Sequence, residues 1–333
     1  MKKFLSVFLV LSLVATMFAG CGAAASSTPT ASQPATSAAE DDGYHIEVVS
    51  SAIYHQFGTA IHNGLEDAAA EYGVVMNFDG PETDSEIDKQ IDMLKIAIDK
   101  HPDAIILNAI DQVALNSEIE RAGELGIPVI MCCNGSTSEV PITFVYAGDE
   151  ESAGAMAADK MAEALGEEGG QVGLICADQN SNWSVGRRDG FINRCAEKYP
   201  NIEVVDVQYS GGDHLKATDG TKAIIQAYPE LKGLFGNGEG NMVGIVNAIK
   251  ELDCSGKYTI VGFDSGKIQL DAIKSGMIIG AVTQDPYGMG YLSMKAAVDY
   301  LKNDTIEPLL DTGFYWYDTT NMEDDNISKM IYE

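Results

Sequence analysis

Residues 45–78, HIEVVSSAIYHQFGTAIHNGLEDAAAEYGVVMNF, read as a strand, a helix and a strand. A β-branched run (45–50) precedes apolar residues recurring at three and four, namely Ile61, Leu65, Ala68, Ala69 and Tyr72, and a second short apolar run (74–78) follows. That order is the crossover that parallel pairing requires, and it lays the helix over the sheet. The alternation continues to about residue 302, with further strands expected at 104–108, 129–132, 172–176, 204–208, 233–235, 259–263 and 278–282. Ile87, Ile91, Leu94 and Ile98 show helical spacing in one of the gaps. The expected class is therefore doubly wound α/β. So many units would also suit one barrel. Two open sheets fit better, because the first series ends near Tyr146-Ala147-Gly148-Asp149 and an equivalent one restarts at Gly170-Gln171, with a helix rich in Ala and Met over 150–165 between them.

Upstream of this region lies a different kind of sequence. Lys2 and Lys3, an apolar run over 4–18 and the small pair Ala19-Gly20 lead to Cys21. This pattern is a secretory leader, too short and wrongly flanked for a permanent span. Residues 1–20 are expected to be removed. The next stretch is Ala, Ser, Thr and Pro, unable to bury enough surface to order itself, so 21–43 is expected to be a flexible tether. Its reach as a coil is roughly 25 Å.

Formal charge is −29, and loss of Lys2 and Lys3 makes the mature chain two units more negative. Such a surface repels phosphate backbones, so nucleic acid is not an expected partner. The arginines are Arg121, Arg187, Arg188 and Arg194, too few to clamp a multiply anionic ligand. A neutral polar ligand fits better. Cys132, Cys133, Cys176, Cys195 and Cys254 have no CxxC spacing, which argues against zinc and against a disulfide framework. Cys132, Cys133 and Cys176 read as small core residues.

Ligands of open parallel sheets bind beyond the carboxyl ends of the strands. The residues there include Tyr54, His55, Gln56, Phe57, Asn134, Asn180, Asn182, Trp183, Asn237, Glu239, Asp264 and Gln284. Sugars suit such a set, since carboxylates and amides take hydroxyl hydrogen bonds at the ring edge while an aromatic ring covers the C–H face. Asp264 follows the run Thr259-Ile260-Val261-Gly262-Phe263 and so stands at a strand mouth. It reads equally as the N-cap of the helix after it. Trp183 reads as a ligand platform or as a core or interface aromatic.

These residues carry a resemblance. Val48-Val49-Ser50, Gly126-Ile127-Pro128-Val129-Ile130, Arg187-Arg188-Asp189-Gly190-Phe191, Val261-Gly262-Phe263-Asp264 and Val282-Thr283-Gln284 resemble the type I periplasmic sugar-binding proteins of ABC importers, the ribose- and galactose-binding group. Phe18-Ala19-Gly20-Cys21 is similar to a bacterial lipobox, which implies a lipid on Cys21 and a protein held at the outer face of the cytoplasmic membrane. The resemblance implies two Rossmann-like lobes joined by a three-strand hinge, 44–148 plus 285–313 and 149–284 plus 314–333. It also implies that Asp264 and Gln284 bind hydroxyls and that Phe57 lies near an aromatic that sandwiches the sugar. Arg187 matches an arginine that in this group is as often structural as ligand-binding. Cys133-Asn134 replaces an Asp-Arg pair, Val185 replaces an arginine and Gly238 an amide, which points away from ribose toward another sugar or polyol.

The expected site is Tyr54, His55, Phe57, Asn134, Asn182, Trp183, Arg187, Asn237, Glu239, Asp264 and Gln284, in a monomer that delivers its cargo to a permease. No cofactor, metal or catalytic residue is called for. A repressor of the lactose type would need a helix-turn-helix where the leader stands. An enzyme lacks support, with no G-x-S-x-G, no H-E-x-x-H and no metal spacing among His45, His55, His62, His101 and His214. Gly236-Asn237-Gly238-Glu239-Gly240 lacks the third glycine of a dinucleotide fingerprint. A receptor presenting a furanosyl signal or chemotactic sugar to a membrane sensor would share the pocket and differ in partner.

Overall fold

The computed structural model describes residues 43–53, 56–83 and 85–332. The leader, residues 21–42 of the tether with Cys21, Tyr54 and His55 lie outside the described residues. The chain runs β1 (His45–Val49), α1 (Gln56–Tyr72), β2 (Val75–Asp79), α2 (Ile87–Asp99), β3 (Ala104–Leu107), α3 (Asn116–Glu124), β4 (Val129–Cys132) and β5 (Thr143–Tyr146). It continues through α4 (Glu150–Leu165), β6 (Gly170–Cys176), α5 (Asn182–Lys198), β7 (Ile202–Tyr209), α6 (His214–Ala227), β8 (Leu231–Gly236), α7 (Glu239–Glu251), β9 (Thr259–Phe263), α8 (Lys267–Lys274) and β10 (Gly280–Gln284). Last come α9 (Pro286–Leu301), β11 (Leu309–Asp311), β12 (Phe314–Tyr317) and α10 (Asp325–Ser328).

Two six-stranded sheets result, ordered β11-β5-β4-β3-β1-β2 and β12-β10-β9-β8-β6-β7. Strand alternation feeds both faces of each. Ile46, Val48, Ile106, Ile130 and Cys132 pack on one side of the first sheet, and Ile105, Leu107, Val129 and Met131 on the other. In the second sheet Ile175, Leu234, Ile260 and Ala281 face one core while Leu174, Phe235, Val261 and Val282 face the other. Apolar runs buried on both faces are what parallel pairing under helices demands. Two parallel-sheet lobes therefore stand where a barrel was the alternative.

Three details differ from the sequence expectation. β5, β11 and β12 were not anticipated, and β4 passes to β5 without a helix, so the alternation is interrupted there. β12 pairs antiparallel with β10. The strand expected at 278–282 sits two residues later, as Gly280–Gln284.

The chain crosses between the sheets at 147–149, at 285 and at 312–313. An aspartate secures each crossing by accepting backbone hydrogen bonds. Asp149 takes Glu151 N at 3.0 Å and Asp285 takes Gly288 N at 2.7 Å, each as the N-cap of the helix that follows, and Asp311 takes Gly313 N at 2.7 Å. The first and third crossings lie side by side: Thr312 N donates to Tyr146 O at 2.8 Å, and a Cβ on Gly148 (φ +73°) would sit 2.8 Å from the Asp311 carboxylate.

Each lobe is also tied by a close helix pair. A Cβ on Gly154 would lie 2.1 Å from Arg187 O, and one on Gly190 would lie 2.0 Å from Glu151 O. Only glycine permits that approach of α4 to α5. The consequence reaches the cleft, because it sets Arg187 of α5 beside Glu150 of α4.

Candidate functional site: the cleft between the sheets

A cleft of about 920 Å³ opens beyond the carboxyl ends of both sets of strands. Its size is that of a small-molecule site. Phe57, Gln112, Asn134 and Tyr146 line it from the first lobe, and Glu150, Asn182, Trp183, Arg187, Glu239 and Asp264 from the second. Gly148 and Gln284 line it next to the crossings. Of the expected residues that are described, only Asn237 stays out. It is fully buried, its amide donating to Ser184 O at 3.0 Å and its oxygen accepting from Ala177 N at 3.1 Å and Asn241 Nδ2 at 2.8 Å. It ties the ends of β6, β8 and α5 together and presents nothing to a ligand.

Asp264 is held in an unusual backbone conformation, φ +70°. Its carbonyl accepts from Gln269 Nε2 and Tyr317 OH, both at 2.7 Å, which anchors a residue whose geometry carries strain. Its carboxylate accepts from Glu239 N at 3.0 Å and Gln284 Nε2 at 3.3 Å. The expected capping role is thus realised on a different helix. Asp264 supplies an acceptor at the start of α7, whose own cap, Gly238, has no side chain, while α8 is capped by Gly266. Lone pairs remain on Asp264 for a ligand.

Arg187 is 3% exposed, and its partners are protein groups. Nε and Nη2 donate to Glu150 at 2.6 and 3.4 Å, and Nη1 donates to Asn237 O at 3.1 Å. Its guanidinium lies 3.6 Å from the centre of the Phe263 ring and 4.9 Å from that of Trp183. It positions the wall of the cleft. Trp183, 37% exposed, is no core aromatic: Arg187 supports it and it borders the cleft. A Cβ on Gly238 would lie 3.3 Å from the Trp183 ring, so an amide side chain at 238 would crowd the tryptophan.

Other groups in the cleft are uncommitted. Among the described residues, the side chains of Asn134, Asn182 and Glu239 make no hydrogen bond, although all three line the cleft. Asn182 stands in the first turn of α5, after a loop that Asp178 organises by accepting from Asn180 N at 2.7 Å and Ser181 N at 2.6 Å. Sequence reasoning missed Tyr146, since the β5 strand that ends in it was not read. It also missed Glu150, which directly follows the first crossing, and Tyr332, for which no local signal exists.

Burial pushes the Glu239 carboxyl above its ordinary value, and the Asp264 charge adds to the shift. A folded-state value above the unfolded one contributes stability only in acid, and that contribution is lost as pH rises through the folded-state value. Glu239→Gln is therefore expected to melt higher than wild type at pH 7, the difference closing below the ordinary carboxyl value of 4.5. Thermal melts across that range check it. A variant that melts lower at pH 7 would mean that the carboxylate has a stabilising partner.

Cys132 and Cys176 are buried, their thiols pushed up to about 11 and about 12 by desolvation, and they serve as core residues. No helix among the described residues is long and apolar enough to cross a membrane.

Residues 46–305 match the model of the periplasmic binding protein domain. The chain is 27% identical over 308 residues to the ribose import binding protein of Bacillus subtilis, covering 92% of this chain and 96% of that one. Among solved structures, a solute-binding protein of an ABC transporter from Agrobacterium vitis, bound with α-D-tagatopyranose, is similar at TM-score 0.75 and 28% identity, over 87% of this chain and 99% of that one. An arabinose-binding protein from Geobacillus stearothermophilus is similar at TM-score 0.77 and 26% identity over the same shares. With two parallel-sheet lobes, three crossings and a cleft at the strand ends, this chain belongs to the periplasmic binding protein family, with the type I fold, and is a binding protein rather than an enzyme.

Proposed function

We propose that this protein captures a sugar or polyol in the cleft and delivers it to the permease of an ABC importer. As a periplasmic binding protein it works outside the cytoplasm. The lobes, 44–148 plus 285–313 and 149–284 plus 314–333, close about the crossings when the cargo bridges Phe57 and Asn134 to Trp183 and Asp264. Cargo that contacts both lobes favours the closed form by its differential affinity for it. A lipid on Cys21 and the tether 21–43 hold a monomeric receptor at the outer face of the membrane.

The observation that carries this reading is the pairing of uncommitted hydrogen-bonding groups, Asn134, Asn182 and Glu239, with the partly exposed ring of Trp183 in one cleft. Hydroxyls in a ring or chain need such donors and acceptors, and their C–H faces need the ring. The loss of the charged Asp-Arg pair at 133–134 fits a cargo other than ribose. A thermal-shift screen against pentoses, hexoses, polyols, nucleosides and furanosyl signals tests it, because a ligand that binds only the folded form raises the melting temperature. A shift with a sugar or polyol is expected. Silence from all of them together with a response to another class would overturn the cargo.

A further inference from the structure

The segment after β12 belongs to one lobe and touches the other. Ile327 and Met330 are buried with Tyr317 and Met322 in the core of the second lobe, which fixes the segment there. Two side chains then reach first-lobe helices. Lys329 lies 5.4 Å from the centre of the Tyr287 ring in α9, and Tyr332 meets Phe57 of α1 edge to face, with ring centres 5.7 Å apart at 90°. Tyr332 is 6% exposed, yet it lines the cleft together with Phe57, Glu239 and Asp264. Burial and the Asp264 and Glu239 charges keep its phenol protonated.

We propose that Tyr332 is a cargo-selecting residue: with Phe57 it forms an aromatic wall contributed by both lobes, which sets the size of molecule the closed cleft accepts. This rests on the sugar or polyol reading of the cleft. An edge-to-face pair is favourable only with ring centres about 4.5–7 Å apart, so lobe positions that keep it limit the cleft width. A cargo that forces the rings apart loses the contact. A cargo that fits beneath them keeps it and gains their apolar edges.

Calorimetric titration of wild type, Tyr332→Phe, Tyr332→Leu and Tyr332→Ala with D-ribose, D-galactose, D-glucose, xylitol, lactose and sucrose tests the role. Wild type is expected to bind a monosaccharide or polyol and neither disaccharide. Tyr332→Phe should keep that profile, and Tyr332→Ala should bind the wild-type cargo about tenfold or more weakly, as loss of the aromatic pair implies. A folded Tyr332→Ala protein with the wild-type profile and affinity would overturn the proposal. If that variant does not fold, Tyr332→Leu, which keeps apolar volume without the ring, decides in the same way. A wild type silent to every sugar and polyol would sink the cargo reading instead. The wall is then read without cargo, in the melting temperatures of Phe57→Ala, Tyr332→Ala and the double variant, where strictly additive losses would overturn it as well.

Discussion

Asp264→Ala is expected to weaken cargo binding by about a hundredfold, roughly 3 kcal/mol, the scale of a hydrogen bond to a charged group that is lost in a desolvated site. The same change removes the acceptor of Glu239 N and Gln284 Nε2 and leaves alanine at φ +70°, a conformation that asparagine and aspartate tolerate better. Some loss of stability therefore accompanies the loss of binding. Asp264→Asn separates the two effects, because its amide oxygen still accepts from Glu239 N, the Gln284 amide can turn to accept from the new Nδ2, and the backbone preference is kept while the charge is removed. Its melting temperature should stay near that of wild type while affinity falls about tenfold. Calorimetry and thermal melts on the pair read this directly, and an Asp264→Asn protein with undiminished affinity would take the carboxylate out of the cargo site.

The second large effect falls on stability. Arg187→Ala removes three hydrogen bonds and the cation from between Phe263 and Trp183, and it leaves Glu150 without its partner. Breaking a buried pair from one side costs about 3–5 kcal/mol, and the lower end applies because the Glu150 side chain keeps 26% exposure. At about 2–4 °C per kcal/mol for a domain of this size class, the melting temperature should fall by about 6–12 °C. Arg187→Lys restores charge without the fork that grips Glu150 and Asn237 together, so it should recover only part of the loss. A melting point unchanged in Arg187→Ala would contradict the positioning role given to this residue.

The double winding was legible because the strands at the middle of each sheet are apolar on both faces and the helices between them keep a strict period. β5, β11 and β12 escaped that reading for a physical reason. They are three or four residues long, no helix separates β4 from β5 or β11 from β12 to frame the pattern, and β11 holds Leu309 at 59% exposure. The position of the site was legible from the ends of the strands, but the direction of each side chain was not. Asn237 and Glu239 are two residues apart after the same strand, yet one is fully buried in a network of amides and the other faces the cleft. Asp264 illustrates the limit of local capping rules, since the helix whose first amide it accepts belongs to the preceding β-α unit. Tyr332 was beyond reach of local reasoning altogether, because it is brought to Phe57 by a segment packed on the opposite lobe.

Small-angle X-ray scattering of the protein, with and without the sugar or polyol that raises its melting temperature, tests capture by closure most directly. A saturating cargo should lower the radius of gyration in wild type and leave it unchanged in Asp264→Ala at the same concentration. Binding that proceeds in wild type with no compaction would contradict closure of the lobes about the cargo.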